Sequence, residues 1–287
     1  TRKSNVYSKP VNENFDIVMS NPPFSITIDR DTAESLPENF GWGERVCESI
    51  RKRKEREVDV ETLFLERWYQ LLAPKGRLGV VLPESILDTT ENKYVRLFLY
   101  RLFNIKAIVS LPYLAFQPYT STKTSLLIAQ KKTAEEVKEY DELWNSFRPE
   151  YERLHVELTS LVKTRTVGLS EYTQESKESV IQKLRKFLKD TFDERDSQLP
   201  LVEILHKYAE EIEEVDEDWW IFGEVSKAFD YKIYMAHAEE IGYKRGVRQT
   251  LPRPNELFQR GEDGKIIIDT EHPKTILDEL RRTVKWS

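Results

Sequence analysis

Cysteine is nearly absent from this chain of 287 residues: Cys47 stands alone, so no internal disulfide and no cysteine-based zinc cluster can form. Histidine is scarce too. The four, at 155, 206, 237 and 272, are scattered without metal-ligand spacing, which leaves no metal site in view. No apolar run approaches the length of a membrane span, and the first ten residues contain no signal-like hydrophobic segment. These absences read together as a cytoplasmic protein. The ten glycines form no phosphate-cradling pattern.

Charge is plentiful, at 33% of residues, with a net charge of −6. Its distribution says more than its sum. Residues 131–227 hold 15 Lys and Arg against 24 Asp and Glu, a balance of −9, while the remainder holds 29 against 26, a balance of +3. The acidity is confined to a middle segment, and the flanking parts remain compatible with a polyanionic partner.

The most informative residues are Ser20-Asn21-Pro22-Pro23-Phe24, directly after the apolar run Phe15-Asp16-Ile17-Val18-Met19. The run reads as a strand buried on both faces. Pro-Pro cannot continue it, so the motif falls at the strand's carboxyl edge, where open α/β sheets bind ligands. The residue types suit chemistry on an exocyclic amine, whose lone pair is delocalised into its ring. An amide oxygen on Asn21 and the carbonyl of Pro22 can each accept one amino hydrogen, favouring a pyramidal, nucleophilic nitrogen. Phe24 offers a flat face for an extruded base, and Pro22 and Pro23 stiffen the loop.

Downstream the pattern alternates. A basic run, Arg51-Lys52-Arg53-Lys54, reads either as a solvated face or as phosphate contacts. A helix through Val60–Leu72 is expected to stop at Pro74-Lys75-Gly76, with a strand from Arg77 to Pro83. A helix over Asn92–Phe103 and a strand over Ile105–Leu111 follow. The next strand, Thr124–Gln130, comes after a loop too short for a crossover helix, so the two should pair antiparallel. From Lys131 the texture becomes helical and acidic. Short strands return near Lys232 and Ile241, then a turn at Gly264 before Ile266 and a last helix through Ile276, Leu280 and Val284.

Taken together, the chain resembles adenine-specific DNA methyltransferases, the modification subunits of type I restriction–modification systems. The resemblance rests on Phe15–Phe24, Leu71–Leu87, Ile105–Gln130 with Phe116 and Lys123-Thr124-Ser125, and a closing segment at Tyr234-Met235-Ala236, Ile241-Gly242-Tyr243 and Asn255-Glu256-Leu257. It implies an α/β fold: the second half of a doubly wound sheet with a terminal antiparallel hairpin, plus an acidic all-helical insertion. The expected divisions are 1–130 as half of the catalytic core, 131–227 as the insertion and 228–287 as the closing segment.

The implied activity is methylation of the adenine amino group in DNA, using S-adenosylmethionine, within a restriction–modification system. The implied partners are DNA and a specificity or restriction subunit. Asn21, Pro22, Pro23 and Phe24 would form the catalytic loop. Phe116 reads as a second aromatic against the base or as simple hairpin packing, and Lys123 as a phosphate contact or a strand cap. Only fourteen residues precede Phe15, none of them glycine. The main cofactor loop is therefore expected upstream of Thr1, with Ser20 and Asn21 nearest to the cofactor and the chain inactive alone. The same tetrapeptide also suits methylation of a protein glutamine amide or a ribosomal RNA base, and a non-catalytic scaffold is a further alternative.

Overall fold

Proline-bounded apolar runs and amphipathic helices build a computed structural model that describes residues 13–24, 26–29, 57–113, 115–164, 174–229, 231–245 and 250–286. It divides into two compact units, Thr1–Val137 with Tyr231–Ser287, and Lys138–Asp230.

The first unit opens with strand β1 (Phe15–Ser20). Strands β2 (Thr27–Asp29) and β3 (Glu57–Asp59) form a small antiparallel ribbon ahead of helix α1 (Val60–Leu71). Then come β4 (Leu72–Pro83), the short α2 (Ser85–Asp88), α3 (Lys93–Leu102), β5 (Phe103–Ser110) and β6 (Thr124–Lys131). The second unit is helical: α4 (Ala134–Thr164) enters it, followed by α5 (Gln174–Leu188), α6 (Leu201–Lys207), α7 (Ala209–Glu214) and α8 (Glu217–Ala228). The chain returns to the first unit with β7 (Tyr234–His237), β8 (Ile241–Arg245), β9 (Thr250–Asn255), β10 (Gln259–Arg260), β11 (Ile266–Ile267) and α9 (Ile276–Thr283). The acidic insertion is thus helical, with an aromatic core of its own in which Trp144, Phe187 and Trp220 are buried.

A five-stranded mixed sheet organises the first unit in the order β1-β4-β6-β5-β7. Strand β1 lies parallel to β4, and β6 runs antiparallel to both β4 and β5. The expected β5–β6 hairpin is present; its return strand inserts between β4 and β5, and β7 adds outside β5 in parallel.

One face of the sheet presents Leu78, Val80 and Leu82 of β4 and Leu127 and Ala129 of β6 to Leu65 and Trp68 of α1 and Val95, Phe98 and Leu99 of α3. Alternate residues point the other way. There Val81, Leu126, Val109 and Leu111 pack with Ile276 and Leu280 of α9. Truncating a fully buried leucine in such a layer, Leu78 for example, costs about 2–5 kcal/mol.

Two local features depart from the sequence reading. Helix α1 ends at Leu71, and β4 already begins at Leu72, paired with Phe15. Pro74-Lys75-Gly76 is an excursion within that strand rather than a spacer before it. Lys75 sits at φ 65°, and a Cβ on Gly76 would stand 2.7 Å from the Ala73 carbonyl oxygen, so the tight reversal requires glycine. Strand β1, expected to be buried on both faces, pairs only with β4 among the described residues. Its Phe15, Ile17 and Met19 are 44, 56 and 82% exposed, while Val18 packs on the core.

A further irregularity lies in β5. Its register shifts between Ile105 and Ala107, which advance two residues while β6 advances one, from Ala129 to Ile128. This bulge explains why Phe103 and Ile105 belong to one core layer and Val109 and Leu111, of the same parity, to the other.

Candidate active site

Ser20 is the last residue of β1, and its partner in β4 is Val80. Because these strands are parallel, the Asn21–Phe24 loop leaves the sheet beside the carboxyl end of β4. Pro22 is buried, fixing the loop, while Asn21 is exposed and Phe24 half-buried. The tetrapeptide therefore presents its amide outward from a rigid base, an arrangement that can accept hydrogen from an incoming amine.

Phe24 meets Phe116. Their ring centroids lie 5.6 Å apart at an interplanar angle of 66°. Phe116 comes from the segment between β5 and β6, whose Leu111 and Ala115 are buried in the second core layer. The Tyr243 hydroxyl of β8 donates to the Ala115 carbonyl at 2.8 Å, so the closing segment holds the residue adjoining Phe116. The structure brings together two aromatics 92 positions apart, Phe116 being the one that the sequence left open between a second aromatic against the base and simple hairpin packing.

Lys123 is turned into the fold. Its ammonium donates to Ser110 Oγ at 2.7 Å and to the Leu111 carbonyl at 2.5 Å. Ser110 Oγ in turn donates to Glu84 Oε1 at 3.0 Å, and Ser125 Oγ lies 3.4 Å from the same oxygen. This polar group ties the ends of β4 and β5 to the start of β6, on the same sheet edge as Asn21. Glu84, Ser110 and Tyr243 had not been singled out for the site. The available signal was topological, since each stands at or just beyond a strand end on that edge. Arg51, Lys52, Arg53 and Lys54, together with Cys47, lie outside the described residues. Among the described residues no group of three or more His, Cys, Asp and Glu side chains could hold a metal ion, and no helix is long and apolar enough to cross a membrane.

The family model described as N-6 DNA Methylase matches residues 1–181. The chain belongs to the N-6 DNA Methylase family. Among curated proteins it is similar to the type I restriction enzyme EcoEI methylase subunit of Escherichia coli, with 31% identity over 135 residues. That match covers 45% of this chain and 24% of the relative, so the chain spans about a quarter of the relative's length. Among solved structures it is similar to the type I restriction-modification system methyltransferase subunit from Streptococcus thermophilus, at 25% identity and a TM-score of 0.32, covering 42% of this chain and 24% of that one. A second is the type I restriction enzyme EcoKI M protein, at 23% identity and a TM-score of 0.28, covering 42% and 21%. The N-6 DNA Methylase match takes in β1, its loop and the β5–β6 hairpin, the elements that carry Phe24 and Phe116.

Proposed function

We propose that this chain contributes the base-handling half of an enzyme that methylates the exocyclic amino group of adenine in DNA, within a type I restriction–modification system. The observation that carries the reading is the Asn21–Phe24 loop at the end of β1, with Asn21 exposed and Phe24 facing Phe116, in a chain of the N-6 DNA Methylase family. Asn21 Oδ1 and the Pro22 carbonyl accept the two amino hydrogens, and the rings of Phe24 and Phe116 receive the extruded base.

S-adenosylmethionine supplies an electrophilic methyl group when bound, so no strong base is needed to activate the amine. Of the described residues, Ser20 and Asn21 would border it. Their hydroxyl and amide are polar groups at the carboxyl end of β1, which suits them to such a ligand. The likeness to a methylase subunit of a type I restriction enzyme supports specificity and restriction subunits as partners.

The reading is tested by Asn21→Ala in the intact protein with its partner subunits. Removing one preorganised acceptor should lower methylation by roughly 10²-fold or more. DNA affinity should persist, because phosphate contacts dominate it. Methylation at the parental rate would exclude Asn21 from the site.

A further inference from the structure

The closing segment, Ile241-Gly242-Tyr243 with Asn255-Glu256-Leu257, has no part in the chemistry proposed above, yet it is firmly seated. Ile241 and Leu257 pack in the same core layer as Val109 and Leu111. The Glu256 carboxylate accepts from the Glu239 amide at 2.7 Å and the Glu240 amide at 3.3 Å, and the Ala238 amide donates to the Ser110 carbonyl at 2.9 Å. The hairpin of β8 and β9 is thus built against the end of β5, the strand from which the Phe116 segment departs. Its register slips at the motif: from Ile241 to Tyr243 β8 advances two residues, while β9 advances three, from Asn255 to Pro252. Gly242 takes φ 91° at this bulge, and a Cβ there would stand 3.2 Å from Asn255 Nδ2, so the position requires glycine. From the bulge, the Tyr243 hydroxyl reaches the Ala115 carbonyl at 2.8 Å.

That bond acts on one particular peptide unit. The Ala115 carbonyl shares its plane with the amide nitrogen and Cα of Phe116. On the other side, the Phe116 carbonyl accepts from the Tyr119 and Thr120 amides at 3.0 and 3.2 Å. Both planes that meet at the Phe116 Cα are therefore held, one by its own turn and the other by Tyr243. Two held planes fix φ and ψ, and with them the direction in which the side chain leaves the backbone. The hairpin is already anchored through Ile241, Leu257 and Glu256, so the hydroxyl serves the Phe116 segment more than the hairpin. We propose that Tyr243 is a positioning residue for methyl transfer, its hydroxyl setting where the Phe116 ring stands against the extruded base. The inference rests on the base-methylating function proposed above.

Tyr243→Phe removes the hydroxyl and keeps the ring, so the variant should fold, which circular dichroism checks. In the intact protein with its partner subunits, its single-turnover methylation rate should fall roughly three- to tenfold, about what one neutral hydrogen bond is worth. KM for a target duplex should stay at the parental value, because no group that meets DNA is removed. Quenching of 2-aminopurine at the target position should drop to between the parental level and that of Phe116→Ala. The deciding measurement is the double variant Phe116→Ala/Tyr243→Phe: with no ring left to place, it should be no slower than Phe116→Ala alone. Losses that multiply in the double variant would overturn the proposal. So would a Tyr243→Phe variant that melts earlier but keeps parental rate and quenching, since Tyr243 would then be a structural staple only. Parental behaviour of Phe116→Ala would overturn it as well. Asn21→Ala, measured in parallel, separates the two levels. If it methylates normally, the base-methylating function itself fails; if it is inactive while Tyr243→Phe behaves as the parent, only the positioning role fails.

Discussion

The rings of Phe24 and Phe116 meet in a T-shaped arrangement, with centroids 5.6 Å apart. Carbon atoms in contact stand about 3.5–4 Å apart, so a base sandwiched between the two faces needs roughly 7–8 Å. One ring must swing aside to admit it. Phe24→Ala should therefore weaken base stacking by about 1–3 kcal/mol, read as lost fluorescence quenching of 2-aminopurine at the target position. Phe116→Ala should open the space and remove one face, giving intermediate quenching. Parental quenching in both variants would mean that the aromatic pair only packs.

Lys131 is 3% exposed, yet its ammonium is well supplied with partners. It donates to the Tyr69 and Leu72 carbonyls at 3.0 and 2.8 Å, meets Glu13 Oε1 at 2.9 Å, and lies 4.2 Å from the centre of the Tyr69 ring. It thereby satisfies the carbonyl of Tyr69 in the last turn of α1 and that of Leu72 just beyond it. Lys131→Met keeps the apolar stem and strands those oxygens. The expected loss is about 1–3 kcal/mol in urea denaturation; a midpoint matching the parent would show that water replaces the ammonium.

Glu66 on α1 is 1% exposed, and burial raises its carboxyl from 4.5 to about 8. One of its oxygens has no hydrogen-bond partner among the described residues, and the other lies 3.4 Å from Gln70 Nε2. A folded pKa above the unfolded one means that the native state holds this proton more tightly. Its contribution is full below about pH 4.5 and is lost as pH rises towards 8. Glu66→Gln should flatten that portion of the stability–pH curve between pH 5 and 8. Thermal melts with the same pH slope as the parent would count against a buried neutral carboxyl.

Asp278 behaves in the opposite sense. The Asp269 amide, the Thr275 hydroxyl and the Lys274 and Thr275 amides all donate to its carboxylate, holding its pKa down to about 2. A depressed carboxylate contributes stability above the unfolded value of 3.8 and loses it as pH falls through 2. Asp278→Ala should release the 269–275 loop from the start of α9. Faster hydrogen exchange at the Asp269, Lys274 and Thr275 amides at neutral pH is the expected readout, and unchanged protection would locate the anchor elsewhere.

The legible parts of this fold are those written in local chemistry. Pro22 closes β1, Pro83 is the last residue of β4 and Pro112 follows β5 closely, because proline removes a ladder donor and is visible in any sequence. The antiparallel hairpin followed from the short connection before Thr124. The start of β4 was hidden, because Pro74-Lys75-Gly76 carries the signature of a stop and the pairing of Leu72 with Phe15 is a long-range event. The burial of β1 was misread for a related reason: an apolar run states what a strand prefers, not what covers it. At the candidate site, Asn21 and Phe24 stood out by residue type, and the structure shows one exposed and the other against Phe116, their role being the proposal made above. The internal partners of Lys123 and the hold of Tyr243 on Ala115 depend on which strand ends the topology gathers.

The bulge between Ile105 and Ala107 reaches further than its one extra residue suggests. It works as a phase shift in the chain: upstream, odd-numbered side chains of β5 face the α1 and α3 layer, and downstream they face α9. The side of the sheet from which Ser110, Leu111 and then Phe116 depart is therefore set by a count of backbone units about ten positions before the aromatic. No substitution of a side chain can alter that count. Deleting one residue at the bulge would turn the whole departing segment over, so this part of the site is guarded by chain length rather than by residue identity.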